Sequence, residues 1–397
     1  MLYLSLIKHL LLFFAMKKIL IALTFLTLLI SCKNEIKIKP IHLISVDINK
    51  SGSLDISETA NIVNIVNLEL TDNSIIREIS KIYVTSQFIL IVDLIKSEIF
   101  VFNKSNGKFI RNIGQKGQGP GEYIMFNDVF FDDDFKLIYA HERIKRNMLI
   151  YNLSGDLIDE LPCKYWFRGF CKNKDGFWVY SCYPDENPEG YALMLLNDSL
   201  TERIEGFLPQ KSFFPAVNGS RFIKDTNNVF YFTYPFNNII YQLDNGKPQP
   251  YFHIDFGSKT LPYGEIHKMS DPIEYNDLIY NYDYLGDVVN PHIGNNKFYF
   301  SFSQTAGSSI RYTAIYDLSE KVVKVFNSFK KYLPHNPSEL PFKSISFTEL
   351  IGFDEDVSIY SISPDILNDN DFLLIKENIA NSLDRESNPI LFFVKEK

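Results

Sequence analysis

The stretch best equipped for chemistry is Gly114 to Gly121, Gly-Gln-Lys-Gly-Gln-Gly-Pro-Gly, with four glycines and a proline in eight residues. No strand or helix interior tolerates that composition, so it forms a loop with several left-handed backbone positions. Such a loop can meet a ligand through its backbone, with Gln115, Lys116 and Gln118 as polar handles. It lacks the Lys-Ser/Thr pair and the following helix of a phosphate cradle, and Glu122 to Phe131 reads as strand. Its other reading is a tight crossover between two structural repeats.

Asp47 to Glu58 comes close to a calcium loop. Asp47, Asn49, Ser51 and Asp55 put oxygens at positions 1, 3, 5 and 9, with Gly52 at 6 and Glu58 at 12. The strand-like residues before it replace the entering helix such a loop needs. Calcium or another divalent ion here is the one cofactor candidate, and otherwise no cofactor is expected. The seven histidines are scattered without an HExxH or HxxxH pair. His141-Glu142-Arg143 lies at a strand end with no second cluster to complete a zinc site. No Gly-x-Ser-x-Gly elbow is present. No catalytic residue is therefore assigned.

Net charge of −8 and a pI near 5.5 argue against nucleic-acid partners, which select for a basic face. The N-terminus carries an address. Lys17-Lys18 precedes the apolar run Ile19 to Ile30, too short to span a bilayer comfortably, and Leu29-Ile30-Ser31-Cys32 is similar to a bacterial lipobox. Residues 1–32 then form a signal segment, with residues 1–15 an over-extended start before Met16. Cys32 becomes the lipid attachment site, and the membrane is contacted through that anchor. Residues 33–53 are a tether and approach, and 54–397 a single domain. Cys163, Cys171 and Cys182 remain, an odd number that implies no disulfide framework: buried thiols, or one pair in an oxidising compartment.

The elements that position these groups are strands. With 34 Phe and 23 Tyr against 2 Trp, the aromatic bias suits pleated, half-buried segments. From Phe88 onward the chain repeats a pair of β-runs joined by a turn, first Phe88 to Asp93 with Glu98 to Asn103, last Val357 to Ser363 with Pro389 to Lys397. Six pairs recur at roughly 45 to 50 residues where nothing is inserted, the period of a four-stranded propeller blade. The last pair lacks an outer strand, and Ile65 to Leu70 lacks a blade. Joining them predicts an all-β, six-bladed β-propeller with antiparallel blades, closed by an N-terminal strand. Ser258 to Pro291 and Pro364 to Ser382 are insertions, the second an amphipathic helix in the last blade.

Phe100 to Tyr123, FVFNKSNGKFIRNIGQKGQGPGEY, resembles the signature of the six-bladed, NHL-like β-propeller lipoproteins of Bacteroides-type bacteria. The ending SNPILFFVKEK and the early Val66 to Val84 are similar to that family's closing strand and first blade. The resemblance implies fold and a cell-envelope address, on the periplasmic side or the surface, with the outer membrane the expected one; it implies no activity. Fold relatives include sugar-lactone hydrolases, which hold a divalent metal with inward carboxylates, and repeat-built binding modules.

Loop lengths give the expected binding face. Loops joining strands two and three, and those joining blades, share one face and are long, whereas the opposite face has tight turns at Ser105-Asn106-Gly107, Ser154-Gly155-Asp156, Lys174-Asp175-Gly176 and Asn245-Gly246. The register brings Lys116, His141, Arg143, Arg146, Tyr183, Tyr234, Gln304 and Arg311 to the long-loop mouth. The expected function is binding of a small molecule, glycan or envelope protein without chemistry. The alternative is a metal-dependent hydrolase or lyase of the sugar-lactonase type, with Asp93 and Glu142 as candidate carboxylates. A structural subunit of an outer-membrane assembly is a third reading.

Overall fold

The computed structural model describes residues 40–52, 60–181, 190–209, 221–235, 237–266, 274, 278, 284–304, 311–327, 350–367, 369–378 and 383–396. Two N-terminal strands, β1 (His42–Ser45) and β2 (Ala60–Asn67), precede the first complete blade. Blade one is β3 (Lys81–Val84), β4 (Phe88–Asp93), β5 (Glu98–Asn103) and β6 (Phe109–Asn112). Blade two is β7 (Phe126–Asp132), β8 (Leu137–Glu142), β9 (Asn147–Asn152) and β10 (Leu157–Pro162). Blade three is β11 (Gly169–Asn173), β12 (Gly176–Tyr180), β13 (Tyr191–Leu196) and β14 (Arg203–Pro209). Blade four is β15 (Phe222–Lys224), β16 (Phe230–Thr233), β17 (Ile239–Asp244) and β18 (Lys247–Asp255). Blade five is β19 (Leu285–Gly294), β20 (Lys297–Gln304), β21 (Arg311–Asp317) and β22 (Val323–Asn327), and the last blade takes β23 (Leu350–Asp354), β24 (Val357–Ile362) and β25 (Ile390–Glu396).

Every blade is an antiparallel meander, and β2 pairs antiparallel with β25 from Ala60 opposite Glu396 to Asn67 opposite Ile390. The fourth strand of the last blade thus comes from the chain's beginning, which closes the ring and leaves no blade incomplete. The expected closing strand, Ile65 to Leu70, overlaps the observed one at its C-terminal half. Before closing, the N-terminal segment straps the outside. Strand β1 adds a fifth, parallel strand to blade four, Val46 N–H donates to Asp255 O at 2.8 Å, and Gly52 N–H donates to Val325 O at 2.9 Å on blade five. Among the described residues helix is confined to short pieces, the longest being Asp369–Asn378 in the last blade. No described helix is long and apolar enough to cross a membrane.

The core lies between blades, because each sheet buries both faces against its neighbours. Phe252 of blade four stacks on Phe298 of blade five at 4.4 Å between centroids. Leu90, Val92 and Val101 of blade one pack with Val129, Phe131 and Leu149 of blade two. This is why Phe230-Tyr231-Phe232 and Phe298-Tyr299-Phe300 do not alternate: all six side chains are buried. The inner strand of blade five starts at Leu285, inside the segment expected as a loop insertion to Pro291. A Cβ on Gly107, at φ +69°, would sit 2.0 Å from Asn67 O, so only glycine lets blade one meet the closing strand.

Candidate functional site

Strand order puts the β-turns between strands two and three on the same face as the crossovers between blades. At each blade on this face two positions recur: the residue that leads into the inner strand and the residue that ends the second strand. What occupies them differs around the ring.

In blades one and two the second strand ends in a carboxylate. Asp93 accepts from Arg77 N at 2.7 Å, Glu78 N at 3.1 Å and Lys96 N at 2.8 Å. Glu142 accepts from Ile124 N and Met125 N, both at 3.2 Å, and from Lys145 N. Both are fully buried. The device is the same twice: one oxygen holds two successive amides of the incoming crossover, and the other holds the amide three residues on in the next turn. Each candidate metal-ligand carboxylate is thus occupied by three backbone amides. Among the described residues no three His, Cys, Asp or Glu side chains form a metal-binding group.

The glycine loop is tied down by the same two blades. Glu122 accepts from Gly119 N at 2.8 Å, and Gly121 N donates to Glu160 at 3.1 Å. Lys145 Nζ donates to Gly119 O and Glu122 O, each at 2.7 Å, and Tyr151 OH reaches Gly121 O at 3.2 Å. Lys116 is a fastener: its ammonium lies 2.7 Å from Lys96 O and 3.0 Å from Glu98 Oε1. Gln115 and Gln118 are exposed beside it. The glycines therefore serve close packing, Gly114 against Tyr151 and Gly117 against Glu122.

At this end of the second strand blade three has Ser181, the residue after β12, and blade four has Thr233, the last of β16; Arg168 and Arg221 lead into their inner strands. Arg168 N–H donates to Tyr180 O at 2.7 Å, and Arg221 O accepts from Thr233 N at 2.9 Å. The Arg168 guanidinium lies 4.6 Å over the Trp166 ring, and Arg221 is buried. Tyr234 sits 6.3 Å from Tyr180 and 6.0 Å from Tyr263, and Asn237 donates to Tyr241 OH at 3.1 Å. Burial pushes the Tyr241 and Tyr263 phenols up, so they are neutral donors at any physiological pH. Between blades two and three, His141 stacks on Phe167 at 3.9 Å and 19°. Asn127 Nδ2 lies 3.5 Å from its Nδ1 and donates to Phe167 O at 3.0 Å. Burial lowers the His141 pKa to about 3, so the ring is neutral. His141 Nε2, Ser181 Oγ and Asn238 Oδ1 are buried without a hydrogen-bond partner among the described residues.

Deeper, the inner strands of blades one to three are joined by one ion pair. Lys81 Nζ lies 2.5 Å from Asp128 Oδ1 and donates to Val129 O at 3.0 Å. Asp128 Oδ2 accepts from Phe170 N at 3.0 Å, and Tyr83 OH donates to Val129 O at 3.0 Å. These side chains satisfy the peptide groups that inner-strand edges would leave unpaired around the axis. Burial alone would lower the Lys81 pKa, but Asp128 and Tyr83 outweigh it and hold the ammonium charged. Burial drives the Cys171 thiol well above its usual range, and Cys163 is pushed up to about 12, so both are inert thiols and unpaired.

The mouth therefore brings His141 and Tyr234 to one side of the ring. Arg143 and Arg146 lie in the β8–β9 turn, with Arg143 Nη1 3.7 Å from Met125 Sδ. Gln304 and Arg311 end β20 and begin β21. Tyr183, Cys182 and Cys32 lie outside the described residues, as does 53–59 of the calcium-loop candidate. Of that candidate, Asp47 Oδ1 caps a turn by accepting from Asn49 N at 3.0 Å and Asn49 Nδ2 at 3.1 Å. Asn127, Arg168, Ser181, Arg221 and Asn238 were not singled out by sequence. The signal available was the end of each second strand, where Asp93 and Glu142 give way to the hydroxyls of Ser181, just past β12, and Thr233.

A closed six-bladed ring with one polar, incompletely satisfied mouth defines the class: a β-propeller whose differences between blades, not its fold, carry any specificity. The chain belongs to the family described as a domain of unknown function, DUF4934, which matches residues 39–395. An exported-protein candidate from Bacteroides fragilis is similar in structure, with TM-score 0.70 and 20% identity over 89% of this chain and 99% of its own. A DUF4221 family member from Bacteroides vulgatus has TM-score 0.51 and 10% identity over 85% and 98%. No functionally curated protein matches the sequence significantly.

Proposed function

We propose that this chain is an exported, lipid-anchored protein of the cell envelope that binds a polar small molecule, glycan or envelope protein at the crossover-face mouth over blades two to four, without chemistry of its own. The observation that supports it is the trio His141 Nε2, Ser181 Oγ and Asn238 Oδ1, buried and unpartnered among the described residues. Each such group costs about 1–3 kcal/mol until something hydrogen-bonds it. A mouth that leaves three of them beside neutral tyrosines is arranged for a guest that supplies donors and acceptors. The test is a thermal-shift screen of the chain from Lys33 on against glycans and polar metabolites. A hit should raise the melting temperature, and the rise should vanish in Ser181→Ala and Asn238→Ala but survive Asn106→Ala and Asp156→Ala on the turn face. Loss in the turn-face pair instead would move the site. The anchor is tested separately: Cys32→Ala should leave the chain unprocessed or release it from membranes.

A further inference from the structure

We propose that the crossover face of blades one and two docks on an anionic phospholipid bilayer. Four isoleucines and a methionine stand out of this face: Ile75 (49% exposed), Ile95 (54%), Ile124 (40%), Met125 (40%) and Ile144 (57%). They form one strip, since hydrogen bonds join their segments in sequence. Lys96 Nζ donates to Ile75 O at 2.7 Å, next to Ile95; Phe126 N donates to Ser97 Oγ at 3.2 Å, next to Met125; Arg143 N donates to Met125 O at 2.8 Å, next to Ile144. Single exposed apolar residues are ordinary, but a joined row rimmed by polar groups marks a contact surface.

The charges beside the strip say what covers it. Glu98 is spent on Lys96 and Lys116, Glu122 on Gly119 N, and Glu142 on three amides. Arg77, Arg143 and Arg146 pair with no carboxylate of the described residues. Asp72 and Glu78 remain exposed only at the Ile75 end, so the turn Arg143-Ile144-Lys145-Arg146 is the cationic end, an isoleucine tip between basic residues. An apolar tip with cationic flanks suits the headgroup boundary of an anionic bilayer, and this chain as a whole carries −8, so the local sign runs against its own average. Chain length permits the pose. Eight residues from Cys32 to Pro40 extend to about 28 Å, more than the roughly 20 Å that six-residue strands give the ring in depth. This inference rests on the envelope reading for the presence of a bilayer, and it turns the mouth toward ligands carried in or on the membrane.

The test uses the chain from Lys33 on, which has neither signal nor Cys32 and keeps all described strand pairing. It is sedimented with phosphatidylglycerol/phosphatidylethanolamine vesicles and with phosphatidylcholine vesicles, at low and high salt. Binding to the anionic vesicles is expected. Ile95→Asp with Ile144→Asp should reduce the bound fraction at least tenfold. Arg143→Ser with Arg146→Ser should reduce it several-fold and flatten its salt dependence. Phe135→Asp, at the most exposed apolar side chain of the turn face, should change nothing. Ile144→Ser serves wherever the aspartates lower the melting temperature. Absence of binding, equal loss in Phe135→Asp, or self-association abolished by Ile144→Asp would each overturn the proposal, the last by making the strip a subunit contact. The assay contains neither lipid anchor nor mouth ligand, so its failure is distinct from failure of the Cys32 or ligand tests.

Discussion

Blades one and two and blades three and four solve the same structural problem with opposite chemistry. Each must bind the incoming crossover to the end of its second strand. The first pair does so with the buried carboxylates of Asp93 and Glu142, each saturated by three amides. The second pair has short hydroxyls there, Ser181 and Thr233, and leaves Ser181 Oγ unbonded among the described residues. A charged acceptor with three donors is a finished structure; a hydroxyl with none is an open valence. The contrast teaches where in a near-symmetric ring to look for function: at the blade that omits the fastener its neighbours use.

The comparison can be broken hardest at the axis. Asp128→Ala leaves Lys81 charged and buried against Val129 O alone, and should cost about 3–5 kcal/mol in urea unfolding. Lys81→Met with Asp128→Leu should recover most of it, because the loss comes from the stranded charge. If Asp128→Ala proves mild, the joint between blades one and three is held by packing alone.

Acid should reveal the mouth. With its pKa at about 3, His141 stays neutral when folded, whereas the unfolded chain takes up that proton from about pH 6.5 downward. Its contribution is therefore intact above pH 6.5 and drains between 6.5 and 3, at about 1.4 kcal/mol per pH unit. His141→Phe, which keeps the stack on Phe167, should remove that part of the slope. An unchanged slope would mean that the ring is hydrated and not buried dry.

The smallest effects sharpen the contrast itself. Glu142→Gln sets an amide NH2 against one of the three donors and should cost about 2 kcal/mol. Ser181→Ala removes a buried, unbonded hydroxyl and should raise stability by about 1 kcal/mol. Similar losses at both positions would show that Ser181 is a fastener too.

Much of the fold was legible because strands have a local code. The β-runs FILIVD and EIFVFN, the turn glycines and the six-fold recurrence follow from short-range sterics and burial on both faces, which the order of residues carries directly. The orphan strand near Ile65 and a last blade one strand short even made closure countable. Glycine content likewise marked residues 114–121 as a loop. Its role was not legible: whether its peptide groups await a ligand or are filled, the N–H groups by Glu122 and Glu160 and the carbonyls by Lys145, depends partly on the β8–β9 turn and on β10.

Residue order alone dictates the repeating blade and its count, which depend on residues near one another in the chain, and counting strands then points to the closing pair of Ala60–Asn67 with Ile390–Glu396. Which polar groups are spent is settled only once the blades have packed. Asp93 and Glu142 read as possible metal ligands before the amides of each blade's incoming crossover and next turn filled them. Lys116 read as a handle until Glu98 took it, and Arg168, Ser181 and Asn238 read as nothing. Hydrogen bonding and burial are properties of neighbours in space, and the crossover amides on Asp93 and Glu142 and the Glu98 carboxylate on Lys116 lie 15 to 18 residues away, beyond the reach of local pattern.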